Sequence, residues 1–479
     1  MENRLRRIHE AAMRIVHEIG VKLYHPEILD LVQEKGVKVS GQTAYFHPEL
    51  LMQWVGKAPE AFTLHARNPV YDMHIGGDNV ECGAGYGCPA IIEGDGKKRD
   101  ALLQDYVTFA KLVHQSEHLM LNGGILAQPS DIDAAKSHLI MLYAAMVNSD
   151  KCIAGIPGSG QKMQEVMDMM AILFGGKEAL MEKPHVLTMI STISPLRIDE
   201  MALQSILVAA RHNQPLLISP APTAGTTGPF GIAANLALAT AEALAGIAIV
   251  QMINAGTPVI FGLQCNAADL KTGNNSIGTP AFALQAGYCA RMARMYKLPS
   301  RGGGATNDAK AVSVQSGYES MMSMLTSFQN RINLVYHSAG ILDSYAAMSY
   351  EQFMVDLEII GMIKFYLGGL DAETAEDFSI DVIKEVGPGG QFMTTADTLS
   401  KCRTYSWNPD ISVRKRLTSK TADEEILENA RKKQAKLLQA YRKPDMDPAI
   451  RKGLDEFLIQ AGVGEEVIRA IHGTDGGIG

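Results

Sequence analysis

The chain has 479 residues, 46% of them hydrophobic and 20% charged, a composition that excludes a disordered or fibrous protein and is ample for one large core. Its formal net charge of −8 is spread without a basic tract, which argues against nucleic acid or an anionic membrane surface as partner. Six cysteines in a chain of this size, behind an N-terminus whose apolar positions are interrupted by Arg, Glu and His, predict reduced thiols and a cytoplasmic location.

In chain order, residues 1–117 predict a helix and hairpin layer. Within it "DMHIGG", residues 72–77, fits Asp-x-His-x-x-Gly, the pattern by which cobalamin-binding domains offer a histidine to cobalt. That role needs a strand of a doubly wound fold before the motif. Here two amphipathic helices and "FTLHAR" precede it and Gly-Asp turns follow, so a hairpin histidine is the expected role of His74. Cys82 and Cys88 have a five-residue spacing foreign to zinc sites, and no metal is expected there.

From about residue 118 seven apolar runs alternate with helical stretches: "HLMLNGGILAQP", "KCIAGIP", "HVLTMISTISP", "PLLISPAP", "TPVIFGLQC", "LPSRGGGAT" and "INLVYHSAGIL". Each ends in Gly, Pro, Ser, Thr, Gln or His, as a buried parallel strand does where it opens into a functional loop. Helices are expected at 161–174, 198–213, 231–254, 279–296 and 315–330. The third of these regions carries no charge within 231–254 except Glu242, and it is long enough to span a bilayer. Its Ala-rich composition beside a strand favours a buried helix. No Gly-x-Gly-x-x-Gly follows the first run, so the expected fold is α/β, a (β/α)8 TIM barrel over 118–370 whose eighth strand is unassigned. A loop and helical extension fills 371–479, with a capping box at Thr421 and Glu424.

The stretches "TAGTTGPFGIAANLALATAEALAGIAIVQMINAGTPVIFG", "TNDAKAVSVQSGYES", "HSAGILDSYAAMSYEQFMVDLE" and "EVGPGGQFMTTADTL" resemble the trimethylamine methyltransferase family, and the similarity runs over nearly the whole chain. Family members with pyrrolysine act on trimethylamine, and that residue would fall near Gln315 to Tyr318, where this chain has ordinary residues. The resemblance therefore implies a demethylase of quaternary amines. Glycine betaine is favoured, with proline betaine, carnitine and γ-butyrobetaine as alternatives, and the cobalamin comes from a separate corrinoid protein rather than being held tightly here. A homo-oligomer is expected. The family loop after "GPGG" continues with histidines, where Gln391 and Asp397 stand in this chain.

A quaternary ammonium has no lone pair for an acid or zinc to activate, so no catalytic residue is assigned and positioning must carry the reaction. Cation recognition uses aromatic faces. Tyr336 and Tyr345 at the seventh run, Phe353 on the next helix, Phe392 in the "GPGGQF" loop and Tyr86 in the hairpin layer are the candidates, each with core packing as its alternative. His337 could meet a betaine carboxylate or be a core histidine, and Arg301 and Gln391 are further substrate candidates. Asp308 and Glu319 could face the cation, or form a barrel salt bridge or helix cap. Gly302, Gly303 and Gly304, with Gly389 and Gly390, would leave room for a corrin face. A binding or sensing protein for cationic amines and an S-adenosylmethionine methyltransferase are rival readings. The latter needs an early Gly-rich turn that is missing.

Overall fold

A computed structural model describes residues 2–369, 378–403, 405–416 and 421–472. Eight parallel strands form the central sheet: β1 (Glu81–Cys82), β2 (Leu121–Gly123), β3 (Cys152–Ala154), β4 (Val186–Ile190), β5 (Leu216–Ile218), β6 (Val259–Gly262), β7 (Ser300–Arg301) and β8 (Leu334–Val335). Neighbours in sequence are neighbours in the sheet, β8 pairs with β1, and a parallel bridge from Gly83 to Leu121 closes β1 on β2. The result is a (β/α)8 barrel. All seven apolar runs supply strands. The eighth is Glu81–Cys82, contributed from ahead of residue 118 by the segment expected to form only a hairpin layer.

A helix follows each strand: α1 (Leu103–Gln115), α2 (Ser137–Asn148), α3 (Gly160–Phe174), α4 (Glu200–Arg211), α5 (Ile232–Ile253), α6 (Pro280–Met295), α7 (Val314–Gln329) and α8 (Tyr350–Gly368). Five start behind a side-chain cap on the first-turn amides, from Ser159, Asp199, Thr279, Ser313 and Ser349. Each cap satisfies an amide that the helix leaves without a partner, so the strand-to-helix turns are written locally in the sequence.

The most apolar 18-residue window of α5 is 94% buried, because the N-terminal helices Glu2–Arg14 and Pro48–Val55 pack over it on the outside of the barrel. Its apolar surface is core. Glu242, its one charge, accepts bonds from Thr192, from Ser194 Oγ at 2.9 Å and from Leu196 N at 2.9 Å, and so fastens the loop after β4. Burial raises the pKa of that carboxyl.

The antiparallel hairpin Ala61–Leu64 with Met73–Gly76 closes the N-terminal end of the barrel. Leu64, Met73 and Ile75 pack on the strand side chains Leu121, Cys152, Leu187 and Leu217, and His65 N and Asn68 N bond to Pro184 O and Asp150 O just ahead of β4 and β3. His74 lies exposed on this hairpin, with Nδ1 3.0 Å from Thr63 Oγ1. Beyond α8, the boundary expected at 370/371 lies outside the described residues. The helices Ala422–Ala440 and Pro448–Gln460 lie against α8 and α3, and Thr421 and Glu424 form the expected capping box.

Candidate functional site

Polar side chains converge where the strands end. Tyr86 follows β1, Ser219 follows β5, Gln264 follows β6, Arg301 ends β7, and Tyr336, His337 and Tyr345 follow β8. Strand order alone delivers them to the C-terminal mouth, the usual functional end of this fold.

The aromatic rings form a continuous wall. Tyr86 lies 5.3 Å from Tyr336 and 6.4 Å from His337 between centroids; Tyr336 stacks on His337 at 5.5 Å and 19°, and His337 meets Tyr345 at 4.8 Å. His337 occupies the left-handed region at φ 64°, an uncommon conformation for a residue other than glycine.

Arg301 is 1% exposed. Nη1 donates to Ser219 Oγ at 2.8 Å, Nε has no partner, and no described carboxylate forms an ion pair with it. A buried cation without a counter-ion is costly. Burial lowers its pKa, and together with the Arg301 charge, burial drives the His337 imidazole well below its usual range, so His337 is neutral at physiological pH. The Tyr345 phenol, buried and bonded by Gln264 Nε2 at 2.5 Å, is pushed up to about 12 by burial.

Several buried polar atoms here lack partners: Tyr86 Oη, Tyr336 Oη, His337 Nδ1, Arg301 Nε and Gln264 Oε1. In folded proteins such atoms are uncommon, and a group of them on neighbouring strand ends marks a place for a polar ligand. One permanent cation, hydrogen-bonding tips and neutral ring faces together suit a small zwitterion, with an anionic end for Arg301 and a cationic end for the rings.

Other expected site residues are placed elsewhere. Phe353 is fully buried on α8 against Phe109, a core position. Asp308 accepts bonds from Ile277 N, Gly278 N and Ser344 Oγ, and Glu319 accepts from Asp308 N and Gln315 Nε2, so both tie loops together instead of facing the ring wall. Gly302, Gly303 and Gly304 are buried, not an open face. A Cβ on Gly303 would lie 1.9 Å from Ser327 Oγ, and one on Gly304 2.6 Å from Tyr336 O, so these glycines let β7 approach α7 and the end of β8. Gly389, Gly390, Gln391 and Phe392 are exposed on the C-terminal segment, and Phe392 makes no ring contact with the wall. Cys82, Cys88 and His74 are not gathered into a metal-binding group. Ser219 and Gln264 were not singled out by the sequence, although each is the first polar side chain after an apolar run.

A family model described as trimethylamine methyltransferase (MTTB) matches residues 1–462. The chain is 40% identical to a glycine betaine methyltransferase of Desulfitobacterium hafniense (strain Y51), over 97% of this chain and 98% of that one. It is 27% identical to a proline betaine:corrinoid methyltransferase of Eubacterium limosum, over 94% and 95%. In fold it is similar to the monomethylamine methyltransferase of Methanosarcina barkeri, with a TM-score of 0.53 at 11% identity, covering 90% of this chain and 87% of that structure. The chain belongs to the trimethylamine methyltransferase family. It is a methyltransferase on a (β/α)8 barrel.

Proposed function

We propose that this protein takes a methyl group from glycine betaine and delivers it to the cobalt of a corrinoid carried by a separate protein, releasing dimethylglycine. The observation that carries the reading is Arg301, a buried guanidinium without an acidic partner beside a wall of neutral rings. A betaine supplies the missing carboxylate and presents its trimethylammonium group to the rings. Trimethylamine has no carboxylate, and it would leave the Arg301 charge uncompensated.

The reduced corrinoid, as methyl acceptor, supplies the nucleophile. The C–N bond breaks as the new bond to the methyl carbon forms, and the nitrogen keeps the electron pair, so no general acid is needed at the leaving amine. The chain's contribution is alignment. Arg301, set by Ser219, fixes the carboxylate end, and Tyr86, Tyr336 and Tyr345 fix the ammonium end so that one methyl points out of the mouth. Good alignment lowers such a barrier by roughly 7–11 kcal/mol. His337, neutral beside Arg301, adds a hydrogen-bonding ring without a second positive charge to repel the substrate.

Purified protein mixed with cob(I)alamin and, in turn, glycine betaine, proline betaine, carnitine, γ-butyrobetaine and trimethylamine tests the reading, with methylcobalamin followed by absorbance. Glycine betaine should be demethylated fastest. Turnover of trimethylamine with none for any betaine overturns the proposal.

A further inference from the structure

Three consecutive residues of the loop after β8, Asp343, Ser344 and Tyr345, have φ of 53°, 52° and 73°. None is glycine, and backbone strain of this kind persists only where the surroundings over-determine it. The turn joins the antiparallel pair Ile341–Leu342 and Ala347–Met348, Lys98 and Lys310 pair with the Asp343 carboxylate, and three consecutive residues of the loop after β7 hold its backbone and Ser344. Asp343 N donates to Ala309 O at 2.9 Å, Ser344 N to Asn307 O at 3.2 Å, and Ser344 Oγ to Asp308 Oδ1 at 2.7 Å. The Asp308 carboxylate is itself anchored, since it accepts the amides of Ile277 at 2.9 Å and Gly278 at 3.1 Å from the loop after β6. Asp308 is thus the point where three mouth loops meet. The strained turn delivers Tyr345, whose ring lies 4.8 Å from His337 and whose hydroxyl accepts from Gln264.

We infer that Asp308 is a positioning residue for the substrate: through Ser344 it holds the left-handed turn that sets the Tyr345 ring against the ammonium pocket. The inference rests on the betaine reading above. A carboxylate suits the task because its two oxygens accept three bonds at once and it has no proton that would face a donor. Without it, the turn can relax into the ordinary β or α region and carry Tyr345 away from His337.

The test is a double-mutant cycle on glycine betaine affinity, by calorimetry on the full chain, with Asp308→Ala, Tyr345→Ala and the pair. Asp308→Ala should weaken binding roughly three- to thirty-fold, about the worth of one ring face, and should raise KM more than it lowers kcat. In the Tyr345→Ala background the same substitution should change affinity less than about two-fold, because its target has gone. Ser344→Ala, which removes one hydroxyl from a part-buried position, should reproduce a smaller version of the effect and serves where Asp308→Ala does not fold. Equal losses in both backgrounds, or an unchanged affinity in Asp308→Ala, overturn the inference. A wild-type chain that binds no betaine sinks the betaine reading itself. If another quaternary amine binds, the cycle is run on that ligand.

Discussion

Arg301 reaches across the barrel mouth from the end of β7 to Ser219 after β5, 2.8 Å from Nη1 to Oγ, and this neutral hydroxyl is the only side chain its guanidinium bonds among the described residues. A structural arginine in a core is normally matched by an acid, and its loss leaves a buried charge stranded. Here the reverse holds. Arg301→Gln should leave the melting temperature unchanged or raise it, while removing a charge-assisted bond to the substrate worth about 1.5–3 kcal/mol, or roughly ten- to hundred-fold in affinity for glycine betaine. Tetramethylammonium, which has no carboxylate, should bind the variant no more weakly than the wild type. A large fall in melting temperature with equal loss for both ligands would assign Arg301 to the core instead.

Gly304 at φ 122° lies against the carbonyls of Tyr336 and His337. Adding a methyl there pushes the end of β8 away from β7, and the left-handed backbone adds its own strain. Gly304→Ala should destabilise the fold by about 2–4 kcal/mol and weaken betaine binding as well, because the displaced carbonyls belong to the ring wall. Gly389→Ala, at an exposed position with open space around its α-carbon, should leave betaine affinity unchanged. Denaturant titrations and calorimetry on the two variants give the comparison, and equal effects at both sites would refute it.

The histidines make a prediction with a defined sign. Burial, as the largest cause, depresses His185, stacked on Phe174, and His118, each to about 4. The unfolded chain binds a proton at each near pH 6.5, and the folded chain refuses it until near pH 4. The unfolded state therefore holds more protons between those values, so stability is complete above about 6.5 and falls as the pH drops towards 4. The melting temperature should decline from pH 7.5 to 5, and less steeply in His185→Gln. His337, held neutral in the site, should leave betaine affinity flat from pH 8 to 6. A binding midpoint near 6.5 would contradict its burial beside Arg301.

How far the barrel and its mouth could be read beforehand depended on where the signal sits. The seven strands from residue 121 onward were legible because each is an apolar run ending in a small or polar residue, and five of the following helices carry their own cap. Glu81–Cys82 was not legible, since two residues have no periodicity and become a strand only by pairing with Leu334 and Val335, while the next residue, Gly83, bridges to Leu121. In the site, Arg301, Tyr336 and His337 stood out as charge and rings at strand ends. Ser219 and Gln264 carry neither, and only the closure of the barrel brings them opposite the rings. Phe353 and Phe392 show the limit of an aromatic signal: one helical ring points into the core, and one loop ring lies 44% exposed on another segment.

Those two placements allow the ring wall to be separated from rings that merely neighbour it in sequence. Tyr86 touches both Tyr336 and His337 and has an unpartnered buried hydroxyl, whereas Phe392 makes no described ring contact. Tyr86→Ala removes a face worth about 0.5–2 kcal/mol to a trimethylammonium group, so glycine betaine affinity should fall by roughly two- to thirty-fold. Tyr86→Phe, which keeps the face and loses the hydroxyl, should retain most of it. Phe392→Ala should alter affinity by less than about two-fold, because no contact with the wall is lost. Calorimetric titration of the three variants with glycine betaine decides the matter. A loss on Phe392→Ala as large as on Tyr86→Ala would mean that the "GPGGQF" segment closes over the mouth when substrate is bound, and the wall would then have to be redrawn to include it.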